Sequence, residues 1–469
     1  MLRPTCLEAT LLVGALGRRR RGGGSPRGRQ FPERVAYDGG RSAHFVDTFT
    51  SQLSKPTKAD SPFTALFHTK RGGMKSRIAF VLAAMALPGC ASVQDPELLS
   101  LAQRGMARGY PGMALIASAP GDAVRLAAAG MADAEHGRRL RPGDSFHIGS
   151  ITKCFTAVAI LRLIDAGMLS LDDRLAASLG KAVEHIPSAD VITVRQLLDH
   201  SANTYPTNND AEYLATLIGS AADPSRIWTP EEMLALADGN RRRPAGKPGE
   251  GHTYSDTDYT LLGMIVAKVS GMPLKQYVER EIFGPLNMAS TYFYSDAIRG
   301  LVTPRATMVQ GYLINTKEIR EIISLSPIYK PVPQLTSDLG PVYNTTLASE
   351  RLDAAGGVIS TLPDLMKFGA ALFRGKLLSA VSQTFLTAAG AGMDSLDLSK
   401  QRTWTLQAAR KRYGVVLYKE GDGPGGTTAV LIYLSSQDRI VAGFTNSFGY
   451  FNEVDFILDE VMPALAAKK

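Results

Sequence analysis

From residue 97 onward the chain carries strand patterns at its two ends and helical patterns between them. Near the start, the apolar runs Met113–Ser118 and Ala123–Ala128 flank Pro120-Gly121-Asp122, a turn signal, and read as a β-hairpin. Near the end, Tyr413–Tyr418, Thr427–Leu434 and Ile440–Thr445 read as strands. Ser435-Ser436-Gln437-Asp438 makes the turn between the last two. Residues 150–340 are mostly helical in pattern, as at Ile151–Ile164, Ile192–Asp199, Pro230–Ala237 and Tyr259–Val269. Residues 97–109 and Glu453–Ala467 read as amphipathic helices, the second kinked at Pro463. The economical arrangement is one antiparallel sheet built from both chain ends, covered by the terminal helices, with a helical lobe inserted. The expected fold class is α/β (α+β), with one domain over 95–467. Its sheet lobe is 95–145 plus 350–467, and its helical lobe is 146–349.

Charge marks off what precedes this domain. The 469 residues hold 52 Lys+Arg and 44 Asp+Glu, a formal net of +8. Residues 1–73 hold 13 of the basic and 5 of the acidic side chains, so the 39 basic and 39 acidic residues that follow cancel. The neutral remainder leaves a nucleic-acid partner of the folded part without support, and none is expected. Residues 1–73 read as a nucleic-acid-binding or targeting arm, or as a flexible extension upstream of the true start. Met74-Lys75-Ser76-Arg77 then leads into the apolar run Ile78–Gly89 and Cys90. A short basic segment before a run of 12 apolar or small residues fits an export signal, because spanning a bilayer takes roughly 20 residues. Leu87-Pro88-Gly89-Cys90 resembles a bacterial lipoprotein box, with cleavage after Ala84-Met85-Ala86 as the alternative. The expected mature protein starts near Cys90 and is periplasmic, tethered to the membrane where Cys90 is lipidated. Three cysteines exclude a disulfide scaffold.

Three segments carry candidate chemistry. In Phe146-His147-Ile148-Gly149-Ser150-Ile151-Thr152-Lys153, Gly149 breaks the chain and a helix follows. Lys153 lies three residues after Ser150, roughly 60° around the helix, so the two side chains share a face. A serine hydroxyl becomes a good nucleophile when a nearby base takes its proton, and a desolvated lysine can be that base. The helix N-terminus offers N–H groups to an oxyanion. In Pro248–Asp256, a turn-rich loop presents Tyr254, a phenol able to relay a proton. In Tyr418–Gly425, a strand ends in Lys419-Glu420-Gly421 and runs into a glycine-rich turn, where a substrate can lie along the strand edge. Each segment taken alone also reads as a helix cap, a packing residue or a solvated hairpin.

Taken in order, the three resemble the Ser-x-x-Lys, Tyr/Ser-x-Asn and Lys/His-x-Gly motifs of the serine β-lactamase and penicillin-binding-protein superfamily, in its class C β-lactamase-like branch. The resemblance extends to Leu163–Asp173, to Ile192–Ser201, similar to the family's "LLxHTSG" segment, and to Tyr259–Gly263, Ile282–Met288 and Gly356–Thr361. It implies that Ser150 is the acylated nucleophile. Lys153 is its base or proton-sharing partner, and Tyr254 carries the proton to the leaving group. Lys419 and Gly421 line the substrate strand. The backbone N–H groups of Ser150 and Asp422 form the oxyanion hole. It implies a small-molecule or peptide substrate and neither metal nor organic cofactor.

Two departures bear on function. Asp256 stands where the family's β-lactamases have Asn, and a carboxylate accepts hydrogen bonds without donating them. It favours a charged Lys153 and weakens the case for a β-lactam or amide substrate. Ser201-Ala202-Asn203-Thr204 lacks the family's glycine. His200 reads as structural, His147 and His252 carry no assigned role, and Cys154 reads as buried. The expected function is an exported serine hydrolase acting through an acyl-enzyme on an ester, amide or β-lactam. The competing class is a non-catalytic penicillin-binding or cell-wall-interacting lipoprotein. Substrate choice is expected to lie in loops 202–226 and 300–345.

Overall fold

The computed structural model describes residues 94–217, 226–314, 341–343, 353–389, 394–395, 416–423, 426–448 and 456–466. Residues 1–73, the Met74–Cys90 signal, residues 218–225 of the expected 202–226 loop and residues 315–340 and 344–345 of the expected 300–345 loop lie outside them. Helix α1 (Pro96–Ala107) starts where Asp95 accepts from the N–H groups of Glu97 and Leu98 and Pro96 takes the first helical position. The hairpin follows as β1 (Gly112–Ser118) and β2 (Arg125–Asp133), with a short β3 (Arg138–Arg139). The later elements used below are helices α2 (Thr152–Asp165), α3 (Asp256–Ser270) and α4 (Leu362–Phe373), strands β4 (Asp394–Ser395), β5 (Val416–Gly423), β6 (Thr427–Leu434) and β7 (Arg439–Thr445), and helix α5 (Met462–Ala466).

The strands form one seven-stranded sheet in the order β3-β2-β1-β7-β6-β5-β4. β1 from the front of the domain pairs antiparallel with β7 from the end, Ala114 opposite Phe444 and Ile116 opposite Ala442. The sheet expected from both chain ends is therefore present, and it closes at that pair. Side chains alternate between its faces. Val430, Ile432 and Leu434 of β6 pack with Leu98, Leu101, Ile457 and Val461, under the two terminal helices. Ala429 and Leu431 face the other way, into a core with Phe155, Leu365 and Phe368. Both faces are covered, so β6 reads as an unbroken apolar run rather than an alternating one.

The inner core is built around α2, which is apolar on nearly all sides and buries every residue from Thr152 to Leu161. Phe155 stands edge-on to Phe283, with ring centroids 5.1 Å apart, and tilts against Phe368 at 4.1 Å. Aromatic pairs of this kind contribute about 0.5–1.5 kcal/mol beyond burial. Helix α3 crosses this core and ends at Gly271, whose φ of 72° suits the left-handed cap.

Two expectations shift by a few residues. β5 does not stop at Lys-x-Gly but runs on to Gly423, with Gly421 opposite Ala429 and Asp422 opposite Thr428. The ladder with β6 overrides the weak strand propensity of glycine and charged residues. In the last helix the irregularity falls ahead of Pro463, as a wide turn over Ile457–Val461. Pro463 has no N–H to offer the preceding turn, so the winding loosens before it is reached.

Candidate active site

Ser150 sits in a tight turn over Gly149–Ile151 that leads directly into α2. Gly149 has φ 47°, the left-handed conformation that sharpens the turn. One turn on, Lys153 is completely buried. Its Nζ lies 3.0 Å from Ser150 Oγ, 2.9 Å from the Ala355 carbonyl oxygen and 2.7 Å from Asp256 Oδ1. Ser150 Oγ and the Ala355 carbonyl accept hydrogen bonds from the ammonium group, while Asp256 Oδ1 meets it as an ion-pair contact without hydrogen-bond geometry. Asp256 opens α3, and its own N–H donates to Asn208 Oδ1 at 3.1 Å. The carbonyl of Ala355 reaches Lys153 because its segment lies close on α3. A Cβ on Gly263 would stand 2.8 Å from that of Ala354.

Tyr254 completes the constellation. Its Oη is 2.6 Å from Ser150 Oγ, and either oxygen can donate. The Lys153 Nζ lies 4.8 Å from the Tyr254 ring centroid, and the Lys419 Nζ lies 5.2 Å from it. Lys419 is itself nearly sealed from solvent. Two lysine ammonium groups therefore stand within about 5 Å of the phenol ring, which favours negative charge developing on its oxygen.

Gly421 joins the sheet to the turn that carries Ser150. A Cβ built there would overlap the Ile148 carbonyl oxygen and stand 2.8 Å from Ile151 N. Only a residue without a side chain lets β5 lie on the backbone that carries Ser150. Asp422 follows within the same strand, next to that contact. β4 covers β5 only at Leu417 and Tyr418, so among the described residues no strand pairs with its outer edge from Lys419 to Gly423.

Ser150, Lys153, Tyr254, Asp256, Lys419 and Gly421 thus come together, although they lie in three separate segments of the chain. His200 and Asp258 stand behind them and were not singled out by chemistry in the sequence. His200 Nδ1 lies 2.8 Å from Asp258 Oδ2, and the imidazole packs on Tyr254 with ring centroids 4.6 Å apart. Asp258 Oδ1 accepts from Thr204 Oγ1 at 2.7 Å. Burial pushes the Asp258 carboxyl well above its usual range, with the nearby Asp199 and Asp256 adding to the effect. Burial, then the charges of Lys153 and Lys419, holds His200 well below its usual value. The pair is a buried, hydrogen-bonded wall behind the phenol. Phe146 stacks on Phe444 at 3.8 Å in the core, while Cys154 is buried on another face of α2. Among the described residues, no group of three or more His, Cys, Asp or Glu is placed to hold a metal ion. No helix among them is long and apolar enough to cross a membrane.

Known proteins resemble this chain in sequence and in fold. The chain is 27% identical over 276 residues to a putative penicillin-binding protein of Bacillus subtilis, covering 58% of each chain. It is 30% identical over 192 residues to the esterase EstB of Burkholderia gladioli, covering 39% of this chain and 47% of that one. It therefore spans only about half the length of these relatives. The solved structure of a D-stereospecific amidohydrolase from a Streptomyces species superimposes with a TM-score of 0.61 at 25% identity, over 78% of this chain and 97% of that one. The family model for Beta-lactamase matches residues 98–460, which take in the turn that carries Ser150, the tyrosine loop and the lysine strand, and the chain belongs to that family.

Proposed function

We propose that this protein is a serine hydrolase that works through an acyl-enzyme on an ester or a D-amino-acid amide or peptide, rather than as an efficient β-lactamase. The observation that carries the reading is the placement of Ser150 Oγ between Lys153 Nζ at 3.0 Å and Tyr254 Oη at 2.6 Å. Lys153 donates into Ser150 Oγ, so the serine's own hydrogen can point at Tyr254 Oη. Lys153, held by Asp256 and Ala355, acts as a fixed positive charge. Tyr254, near two lysines, takes the proton as a phenolate while Ser150 Oγ bonds to the acyl carbon. The carbonyl oxygen becomes an oxyanion facing the N–H groups of Ser150 and Asp422. Tyr254 then returns the proton to the departing alcohol or amine. Water reverses the sequence and frees Ser150.

Within that range Asp256 favours the ester over the amide or peptide. A carboxylate there offers no hydrogen to a substrate amide carbonyl. The names of relatives fit the same range: esterase, D-stereospecific amidohydrolase and D-alanyl-D-alanine carboxypeptidase. The test is incubation with a chromogenic short-chain ester and with a fluorescent penicillin, beside Ser150→Ala. Ester turnover that depends on Ser150 is expected. Absence of both turnover and labelling in the parent would instead favour the non-catalytic cell-wall-binding protein that Asp256 keeps in contention.

The Met74–Cys90 signal supports export to the periplasm, with Cys90 as a lipid-bearing N-terminus. Mass spectrometry of the native N-terminus tests this, and an intact Met1 on a cytosolic protein overturns it.

A further inference from the structure

The loop that delivers Tyr254 has little apolar surface to hold it. Five of the eight residues from Pro244 to Gly251 are glycine or proline, and most of the loop is exposed. A glycine-rich segment loses much chain entropy when it is ordered, roughly 1–2 kcal/mol per residue for the backbone. Something must offset that cost, because Tyr254 Oη has to stay within a hydrogen bond of Ser150.

The structure supplies one buried anchor. Asn203 is 2% exposed and has φ 53°. That left-handed conformation is disfavoured for most side chains and tolerated by asparagine. Its Nδ2 donates to the Lys247 carbonyl at 2.8 Å and to the Glu250 carbonyl at 3.0 Å. Its Oδ1 accepts from Thr253 Oγ1 at 2.8 Å, and its backbone carbonyl accepts from Ala245 N at 3.0 Å. Both side-chain donors and the acceptor are spent on one loop, from its middle to the residue next to Tyr254. The neighbours of Asn203 extend the attachment. Ser201 O accepts from Gly249 N at 2.8 Å, and His200 O accepts from Thr253 N at 3.0 Å. His200 also supplies the ring behind Tyr254, so one short segment holds both the loop and the phenol that it carries.

We propose that Asn203 is the positioning residue for Tyr254, acting through residues 247–253. The "LLxHTSG" pattern that this segment resembles has glycine at this place. Glycine takes the left-handed φ readily but leaves the Lys247 and Glu250 carbonyls and the Thr253 hydroxyl without these partners. Asparagine keeps the backbone turn and adds a three-point staple. The inference rests on the hydrolase reading for its catalytic consequence, but the staple itself is independent of it.

The discriminating variant is Asn203→Gly, which preserves the backbone conformation and removes only the side-chain bonds. Turnover of a chromogenic ester with a good leaving group is compared with that of an alkyl ester with a poor one. Tyr254 matters most when the leaving group needs a proton. The expected result is a kcat loss on the order of 10- to 100-fold for the alkyl ester, a smaller loss for the activated one, and KM within about twofold. In a Tyr254→Phe background the same substitution adds no further loss. Equal losses on both esters, or full additivity with Tyr254→Phe, overturn the proposal. Hydrogen exchange at residues 247–253 needs no substrate. Faster exchange in Asn203→Gly than in the parent is expected, and equal exchange overturns the staple even if the parent hydrolyses neither ester.

Discussion

Lys153 Nζ lies 2.7 Å from Asp256 Oδ1, and water reaches neither side chain. Each charge is tolerable in the interior only because the other is there. Asp256→Ala leaves Lys153 uncompensated and should cost about 3–5 kcal/mol of stability. Asp256→Asn is the informative change, since it restores an N–H to the side chain facing the site. It should raise the rate of penicillin acylation relative to ester turnover. The two rates, measured on one preparation, decide the matter. An unchanged ratio removes Asp256 from the account of substrate choice.

Tyr254→Phe keeps the ring against His200 and near both lysines but deletes Oη. The expected outcome is a kcat lower by roughly 10²–10⁴-fold with thermal unfolding close to the parent's. Steady-state ester kinetics beside a melting curve provide the check. Near-normal kcat would hand the base role to Lys153.

Gly421→Ala tests the contact between strand and nucleophile turn. The added methyl has no room beside the Ile148 carbonyl, so either β5 or the turn must shift. Stability should fall by about 1–3 kcal/mol, as for other overpacked sites, and activity should fall with it. An alanine variant as active and as stable as the parent would contradict the packing described.

Acid should loosen the start of α1. The Arg125 guanidinium beside Asp95 holds that carboxyl below its usual range, and the backbone N–H groups of Leu98 and Glu97 add to the effect. A carboxyl with a depressed folded-state pKa contributes stability above about pH 4, and that contribution is lost as pH falls through the folded value. Asp95→Asn keeps a good helix cap but removes the titration. Between pH 6 and 3 its melting temperature should decline less steeply than the parent's. Parallel declines would assign acid sensitivity to other groups.

Much of the sheet and the central helix was legible because apolar runs of strand or helix length, set off by turn residues, mark out each element. The hairpin, β6 and α2 fall within a few residues of the expected ranges. The Ser150–Lys153 pair was legible because a helix fixes their relative angle. The partners of Lys153 divide differently. Asp256 has a motif position, but the Ala355 carbonyl is a backbone atom 202 residues away and leaves no trace in side-chain identity. Asn203 was visible only as a missing glycine. Its φ of 53° and its three loop partners become apparent only when the chain is folded. The overrun of β5 to Gly423 was hidden because pairing with β6 and contact with Ile148 and Ile151, not local propensity, hold it extended.

The fit of Gly421 onto the Ile148–Ile151 backbone has a further consequence for the life of the chain. Ser150, Lys153 and Tyr254 are all synthesised long before β5, yet the wall they work against comes from the last part of the sequence. A chain cut short ahead of Val416 holds every reacting side chain and still lacks the surface that orients an acyl group over the serine. On the proposed mechanism, a chain that lacks Val416–Gly423 is therefore expected to hydrolyse ester poorly even with Ser150, Lys153 and Tyr254 intact.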